Sequence, residues 1–240
     1  MRLILSYQIQ VCQIQTNTTL KKGNQQMSEV FILGVNGSRG VGKDTLGDIL
    51  VRKCGFLSVP FADKLYLEVS KAFNVTVPFL MDRKNKEVAQ ACLTLSQCSD
   101  PHFITVMRED HGILLNSELS PRQILNWWGT EYRREHYGED YWFNGTLFTI
   151  LNSGYKNAVI PGLRLPNEFF GLKNGGYATS RVINNEIDAR EAYLRQMGDP
   201  EANHYSAVAL LDYKMDVDIY NPMDATFEKN IISALRTLGC

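Results

Sequence analysis

Nine consecutive residues constrain this chain more than any others: Gly37-Ser38-Arg39-Gly40-Val41-Gly42-Lys43-Asp44-Thr45. They follow a short apolar run, Val30 to Val35, and precede a segment with Leu46, Ile49 and Leu50 at helical spacing. The apolar run is rich in branched side chains and does not alternate, as expected of a parallel strand covered on both faces. Strand, glycine loop, helix is the setting in which a G-x-x-x-x-G-K sequence holds phosphate. Gly37, Gly40 and Gly42 permit backbone angles that turn several N–H groups inward. A helix starting near Lys43 adds its positive end. The Lys43 ammonium can reach the β- and γ-phosphates, worth about 4 kcal/mol at ~4 Å in a partly shielded site. Thr45 falls where a hydroxyl or N–H meets the α-phosphate. The loop therefore predicts a nucleoside triphosphate used as phosphoryl donor. The bland alternative is a glycine-rich turn with no ligand.

Asp44 stands where Ser or Thr is usual in such a loop. Its carboxylate either ligates Mg²⁺, directly or through water, or caps the helix and leaves the metal to waters and phosphates.

The rest of the chain continues the alternation of strands and helices. Gly55 is a plausible stop for the first helix. A short strand is expected near Phe56–Phe61, followed by a helix over ADKLYLEVSKAF. From Thr76 to Glu118 the pattern weakens into a helical insertion, which with the segment after it spans about residues 76–150. Ser120-Pro121 reads as an N-cap followed by proline in the first turn, opening RQILNWWGTEYRREHYG. KNAVIP and Tyr177 to Ile183 read as strands, with a helix from Asn167 to Gly175 between them. VDIY and a helix from Asp224 to Leu238 close the chain. This order predicts an α/β fold of three layers, a mainly parallel sheet flanked by helices, with a helical lid or acceptor-binding insertion. Residues 12–26 are rich in Gln, Asn, Thr and Lys and bury little. Residues 1–26 are thus expected to be a disordered extension, either a translated leader or a partner-binding arm, and residues 27–240 the folded domain.

The 25 basic and 26 acidic side chains nearly cancel, which disfavours coating of a nucleic-acid polymer. A small anionic ligand held by a few focused cations stays compatible. No apolar run approaches the ~18 residues that span a membrane. The five cysteines are scattered, with no metal or redox spacing, and are expected to be reduced in a cytoplasmic protein.

Several ordered segments narrow the prediction. Phe61-Ala62-Asp63-Lys64-Leu65 follows the second strand. Arg122, Gly129-Thr130-Glu131, Arg134 and Trp142 form a block. Val159-Ile160-Pro161 leads to Arg164 and Asn167-Glu168. His204 and Ser206, then Asp216, Ile219 and Asn221, close the set. Together with the loop ending Gly42-Lys43-Asp44-Thr45, this set resembles the deoxynucleoside monophosphate kinases of tailed bacteriophages, over Val30 to Leu238. Three positions depart from the family pattern: Gly162 replaces an aspartate after the central strand, Ala207 a glutamate, and Asn184 an arginine.

The resemblance implies γ-phosphoryl transfer from ATP, with Mg²⁺, to a deoxynucleoside monophosphate in the host cytoplasm. Homodimerisation is family-like, though no residue pattern here supports it. Such transfer needs positioning and charge neutralisation, because the attacking phosphate is already anionic. Lys43 is the expected donor contact. Arg122, Arg134 and Arg164 are candidates for clamping the acceptor phosphate or bridging both phosphates, since a guanidinium fork binds phosphate at two points. Each could equally be a solvated face or a structural ion pair. Asp63, Lys64, Arg83, Glu131, Trp142 and Glu168 are candidate acceptor-site residues. Against these stand plainer roles: helix capping for Asp63, a solvated cluster for Arg83 with Lys84 and Lys86, arginine orientation or a helix surface for Glu131 and Glu168, and core packing for Trp142. Two other readings stay open, another P-loop small-molecule kinase acting on dephospho-coenzyme A or phosphomevalonate, and a nucleotide-binding protein without transfer.

Overall fold

The structure is a computed structural model that describes residues 30–240; the extension expected over residues 1–26 lies outside the described residues. Five strands form one sheet: β1 (Phe31–Asn36), β2 (Leu57–Ser58), β3 (Asn157–Pro161), β4 (Ala178–Ile183) and β5 (Val217–Tyr220). Their spatial order is β2-β3-β1-β4-β5, and every pairing is parallel. Helices cover both faces, which gives the α/β architecture read from the alternation.

The period-2 geometry of β1 sorts its side chains. Leu33 and Val35 enter a core with Leu46, Ile49 and Leu50 of α1 (Lys43–Cys54) and with Phe227 and Ile231 near the chain's end. On the other face Gly34 leaves no room for a Cβ, because the Leu172 side chain would sit 2.4 Å from it. α1 ends at Gly55, in the left-handed conformation at φ 68°.

A second core packs the helices between β2 and β3, which take in the expected insertion. It is built from α2 (Phe61–Phe73), α3 (Val77–Met81), α4 (Pro101–Glu109), α5 (Pro121–Trp127), a π-helical segment (Trp128–Arg134), a helical turn α6 (Glu135–Tyr137) and α7 (Tyr141–Leu151). Val69, Phe73, Phe103, Ile124, Trp128 and Tyr132 are among its buried members. α5 begins as its sequence predicts. Ser120 Oγ accepts from Gln123 N–H at 3.3 Å, Gln123 Oε1 accepts from Ser120 N–H at 2.9 Å, and Pro121 occupies the first turn.

After β3 come α8 (Pro166–Asn174), α9 (Asn185–Gln196), α10 (Tyr205–Val208) and α11 (Thr226–Thr237). α9 was not foreseen. Its sequence, NEIDAREAYLRQ, carries few apolar residues, so its period is weak, although Asn184 caps it visibly by accepting from Glu186 and Ile187 N–H. Among the described residues no helix is long and apolar enough to cross a membrane.

Candidate functional site

β1 lies between β3 and β4, so the connections leaving the carboxyl ends of these strands part on either side of it. Such a switch point opens a crevice at the end of the central strand. Residues 37–42 fill the turn there, between β1 and α1. Gly37 has φ 146° and Gly42 has φ 100°. A Cβ on Gly42 would also meet Asn221 Nδ2 at 2.4 Å, so both conformation and space demand glycine. Gly42 is the N-cap of α1, and no side chain caps that helix end by a hydrogen bond.

The crevice is a cavity of about 1090 Å³. Gly37, Ser38, Arg39 and Lys43 line it from the loop, while Lys86, Arg122 and Asn126 line it from the insertion. Arg164, Arg181 and Arg195 complete its cationic lining. Lys43 Nζ donates to Gly37 O at 2.8 Å and Ser38 O at 2.7 Å. Burial pushes its pKa down to about 8, and the neighbouring Arg164 adds to the fall; Asp44, Asp188 and Glu191 pull the other way.

Carboxylates hold some of the other cations. Arg39 pairs with Glu201 and, at 3.5 Å, with the buried Glu191. Arg122 pairs with Glu87 and lies 3.9 Å from Glu201. The Arg181 guanidinium is committed to framework, donating to Asn36 Oδ1 and to the carbonyls of Leu210, Leu211 and Tyr213. Among the described residues, Lys86, Arg164 and Arg195 have no carboxylate partner.

Of the loop, Gly37, Ser38, Arg39 and Lys43 face the cavity, Val41 is buried, and Asp44 and Thr45 are exposed on the first turn of α1. Arg122 and Arg164 reach the cavity; Arg134 does not line it. Arg134 lies 3.4 Å from Glu168, which is only 3% exposed and accepts from the N–H groups of Arg164 and Leu165 at 3.0 and 3.1 Å. Arg134 and Glu168 thus brace the main chain that carries Arg164. Burial raises the Glu168 pKa against the lowering effect of those donors.

Five further candidates for acceptor contact also lie outside the cavity lining. Trp142 is buried and donates its indole N–H to Gly129 O at 2.9 Å. The Lys64 ammonium sits 4.4 Å over the Tyr141 ring. Asp63 is on the exposed first turn of α2, and Arg83 on an exposed turn after α3. The fifth, Glu131, is likewise outside the lining, and its Oε2 is buried without a hydrogen-bond partner among the described residues.

Sequence reasoning passed over Asp188, Glu191, Arg181 and Arg195, all of which line the cavity. Asp188, Glu191 and Arg195 stand at positions i, i+3 and i+7 of α9, one helical face. That spacing was present in the sequence, but it carries meaning only once α9 is recognised as a helix. Two of the three departures from the resembled pattern also find structural reasons, while nothing in the structure explains Ala207. Gly162 has φ 88° and donates its N–H to Val35 O at 3.0 Å, a turn that disfavours aspartate. Asn184 is buried, caps α9 and donates to Asn221 O at 2.7 Å.

Fold and site together define a parallel α/β protein with a glycine-rich loop and a lysine at the carboxyl end of its central strand. Solved structures similar to this chain include TT1252 from Thermus thermophilus, with 13% identity, a TM-score of 0.45 and coverage of 88% of this chain and 96% of that one. A gluconokinase from Sinorhizobium meliloti 1021 matches with 14% identity and a TM-score of 0.42, over 89% and 95% of the two chains. A dephospho-CoA kinase from Campylobacter jejuni matches with 16% identity and a TM-score of 0.37, over 85% and 95%. Likeness at this level assigns neither activity nor substrate. No protein-family model matches the chain, and no curated protein does.

Proposed function

We propose that the protein is an ATP-dependent kinase that phosphorylates a deoxynucleoside monophosphate to the diphosphate. One observation carries this reading: the loop and Lys43 open into the same cavity as Lys86, Arg122, Arg164 and Arg195. A volume of about 1090 Å³ sits at the upper end of what a single small ligand needs, which suits a donor and an acceptor together. The acceptor class rests on the ordered sequence segments shared with the bacteriophage enzymes.

In this reading the inward N–H groups of the loop and the Lys43 ammonium hold the donor's β- and γ-phosphates. Lys43 leaves its two carbonyl partners to do so. Arg122 and Lys86 hold the acceptor phosphate. An acceptor oxygen attacks the γ-phosphorus, the bond to the β-phosphate oxygen breaks, and ADP departs. The attacking group is already ionised, so no base is needed. Arg164 and Arg195 are the cations available to neutralise charge on the transferring group, a contribution of ~10³–10⁵ in comparable reactions. Asp188 spends its carboxylate on Ser38 and Asn184, which leaves Asp44 as the exposed carboxylate beside Lys43. One carboxylate with phosphate and water oxygens suits Mg²⁺, which when bound screens the phosphate charges. The reading includes a cytoplasmic protein with free thiols at Cys54, Cys92, Cys98 and Cys240, and a domain running from residue 27.

The test is incubation with ATP, Mg²⁺ and each monophosphate in turn, with chromatography of the products. The expected result is ADP plus a deoxynucleoside diphosphate, reduced about 10²-fold or more in Lys43→Ala. Absence of a diphosphate from every monophosphate would overturn the assignment.

A further inference from the structure

The phosphate-binding loop is tied at both shoulders by side chains from a distant part of the chain. At the carboxyl shoulder, Asn221 Nδ2 donates to Val41 O at 2.8 Å, and both residues are buried. The same amide packs against the Cα of Gly42, the space a Cβ would claim. Its own oxygen is engaged, because Asn221 Oδ1 accepts from Met223 N–H at 2.8 Å. The amide therefore has a fixed orientation, and its donor edge faces the loop. Asn221 is in turn held by its main chain. Its N–H donates to Ile183 O at 2.9 Å, and its carbonyl accepts from Asn184 Nδ2 at 2.7 Å. Asn184 N–H donates to Asp188 Oδ2 at 2.9 Å. The other oxygen of Asp188 accepts from the Ser38 hydroxyl, which is the amino shoulder of the loop. A closed circuit results: Val41, Asn221, Asn184, Asp188, Ser38.

We propose that Asn221 is a positioning residue for triphosphate binding. It pins the Val41 carbonyl away from the cavity, so that the main-chain amides beyond it keep facing the phosphates. Asp188, through Ser38, holds the loop's other end. The loop has no secondary structure of its own to impose this shape, and three of its residues are glycines with many alternatives. A carbonyl turned inward would set a partial negative charge against a polyanion. The circuit makes that rotation cost a buried hydrogen bond. Asn221 touches no substrate in this account; it acts through Val41 and Gly42. The proposal rests on the phosphate-loop reading above, but not on the identity of the acceptor.

The test uses inorganic tripolyphosphate as probe, with binding followed by calorimetry on the full chain. Asn221→Asp, read beside the uncharged Ser38→Ala, keeps the shape but replaces the donor with an oxygen and adds a negative charge. It is expected to weaken binding by about tenfold or more, the scale of one lost buried hydrogen bond to a loop that must hold a polyanion. Val217→Ala serves as control, since it thins the packing of β5 without touching the loop. It is expected to lower Tm while changing affinity less than about twofold. Ser38→Ala releases the amino shoulder alone and is expected to weaken binding by a smaller factor. This variant keeps the proposal testable should Asn221→Asp not fold. Affinity retained in Asn221→Asp, retained in Ser38→Ala, or falling in step with Tm across all three variants would overturn the proposal. A wild-type protein that does not bind tripolyphosphate overturns the phosphate-loop reading itself, whereas wild-type binding with unaltered variants overturns only the positioning role.

Discussion

Lys43 loses its proton near pH 8 because burial strips its ammonium of water and Arg164 adds like charge. In the unfolded chain the same group titrates near its ordinary value of 10.5. Between those two pH values the unfolded state binds more protons than the folded one, so stability at this site rises with pH. Below pH 8 the buried charge is a cost, one a bound polyphosphate offsets. Thermal unfolding of wild type and Lys43→Met, followed from pH 7 to pH 10.5, is expected to show wild type gaining about 3 kcal/mol on the variant across that range. A constant difference would refute the burial of the charge. At this scale the sequence was informative about the loop's glycines, whose positive φ angles the turn requires, and about Lys43, which lines the cavity. For Trp142 and Glu168 the structure matches the plainer roles, core packing and the orientation of an arginine. Both are large or charged residues that satisfy themselves inside the protein, through Gly129 O and through the N–H groups of Arg164 and Leu165.

The π-helical segment is the element whose effect is least visible in its letters. It sends Arg133 and Arg134 to different neighbours although they are adjacent. Arg133 enters the insertion's core, where it meets Glu68 at 2.7 Å and lies 4.3–5.3 Å from the rings of Trp128, Tyr132, Tyr137 and Tyr141. Glu68 also accepts from Trp128 Nε1 at 3.0 Å and Tyr141 OH at 2.6 Å. Arg134 turns to Glu168 beside the sheet. The segment thus joins the insertion to the main chain that carries Arg164. Arg133→Met leaves the Glu68 charge without its counter-ion and is expected to cost about 3 kcal/mol. Hydrogen exchange is expected to quicken in α4, α5 and α7 while β1 and α1 keep their protection. Uniform quickening would argue against the insertion as a separately stabilised unit. The start of α5 was legible because capping is local chemistry. α9 was not, since its polar sequence is held helical by contacts that periodicity does not record.

Over the whole molecule, a formal net charge of −1 coexists with a cavity lined by seven lysines and arginines and four carboxylates. Focused positive charge in a nearly neutral protein favours a small polyanion over a nucleic-acid polymer. Glu201 contacts Arg39 of the loop and lies near Arg122 of the insertion, so a phosphate that uses either arginine competes with its carboxylate. Glu201→Gln is expected to tighten tripolyphosphate binding by about two- to fivefold at low ionic strength. The gain is expected to shrink at high salt, since exposed charges are screened within ~3–10 Å between 1 M and 0.1 M salt. Calorimetry at both ionic strengths checks this, and weaker binding in the variant would mean that Glu201 supports the site.

The sequence by itself determined the strand–loop–helix at Gly37–Thr45 and the α/β order of elements. It also determined several element ends, because each depends on neighbours within a few residues: glycine angles, a capping serine, a run of branched side chains. Only the tertiary structure decided which cations share the cavity and which are spent on framework. Arg122, Arg134 and Arg164 are the same residue type, and no local pattern says which of them meets the cavity. What separates them is the distant placement of Glu87, Glu168 and the carboxyl end of β3. The ties from Asn221 and Asp188 to the loop likewise join positions 180 and 150 residues apart, a distance over which no local pattern in the chain can act.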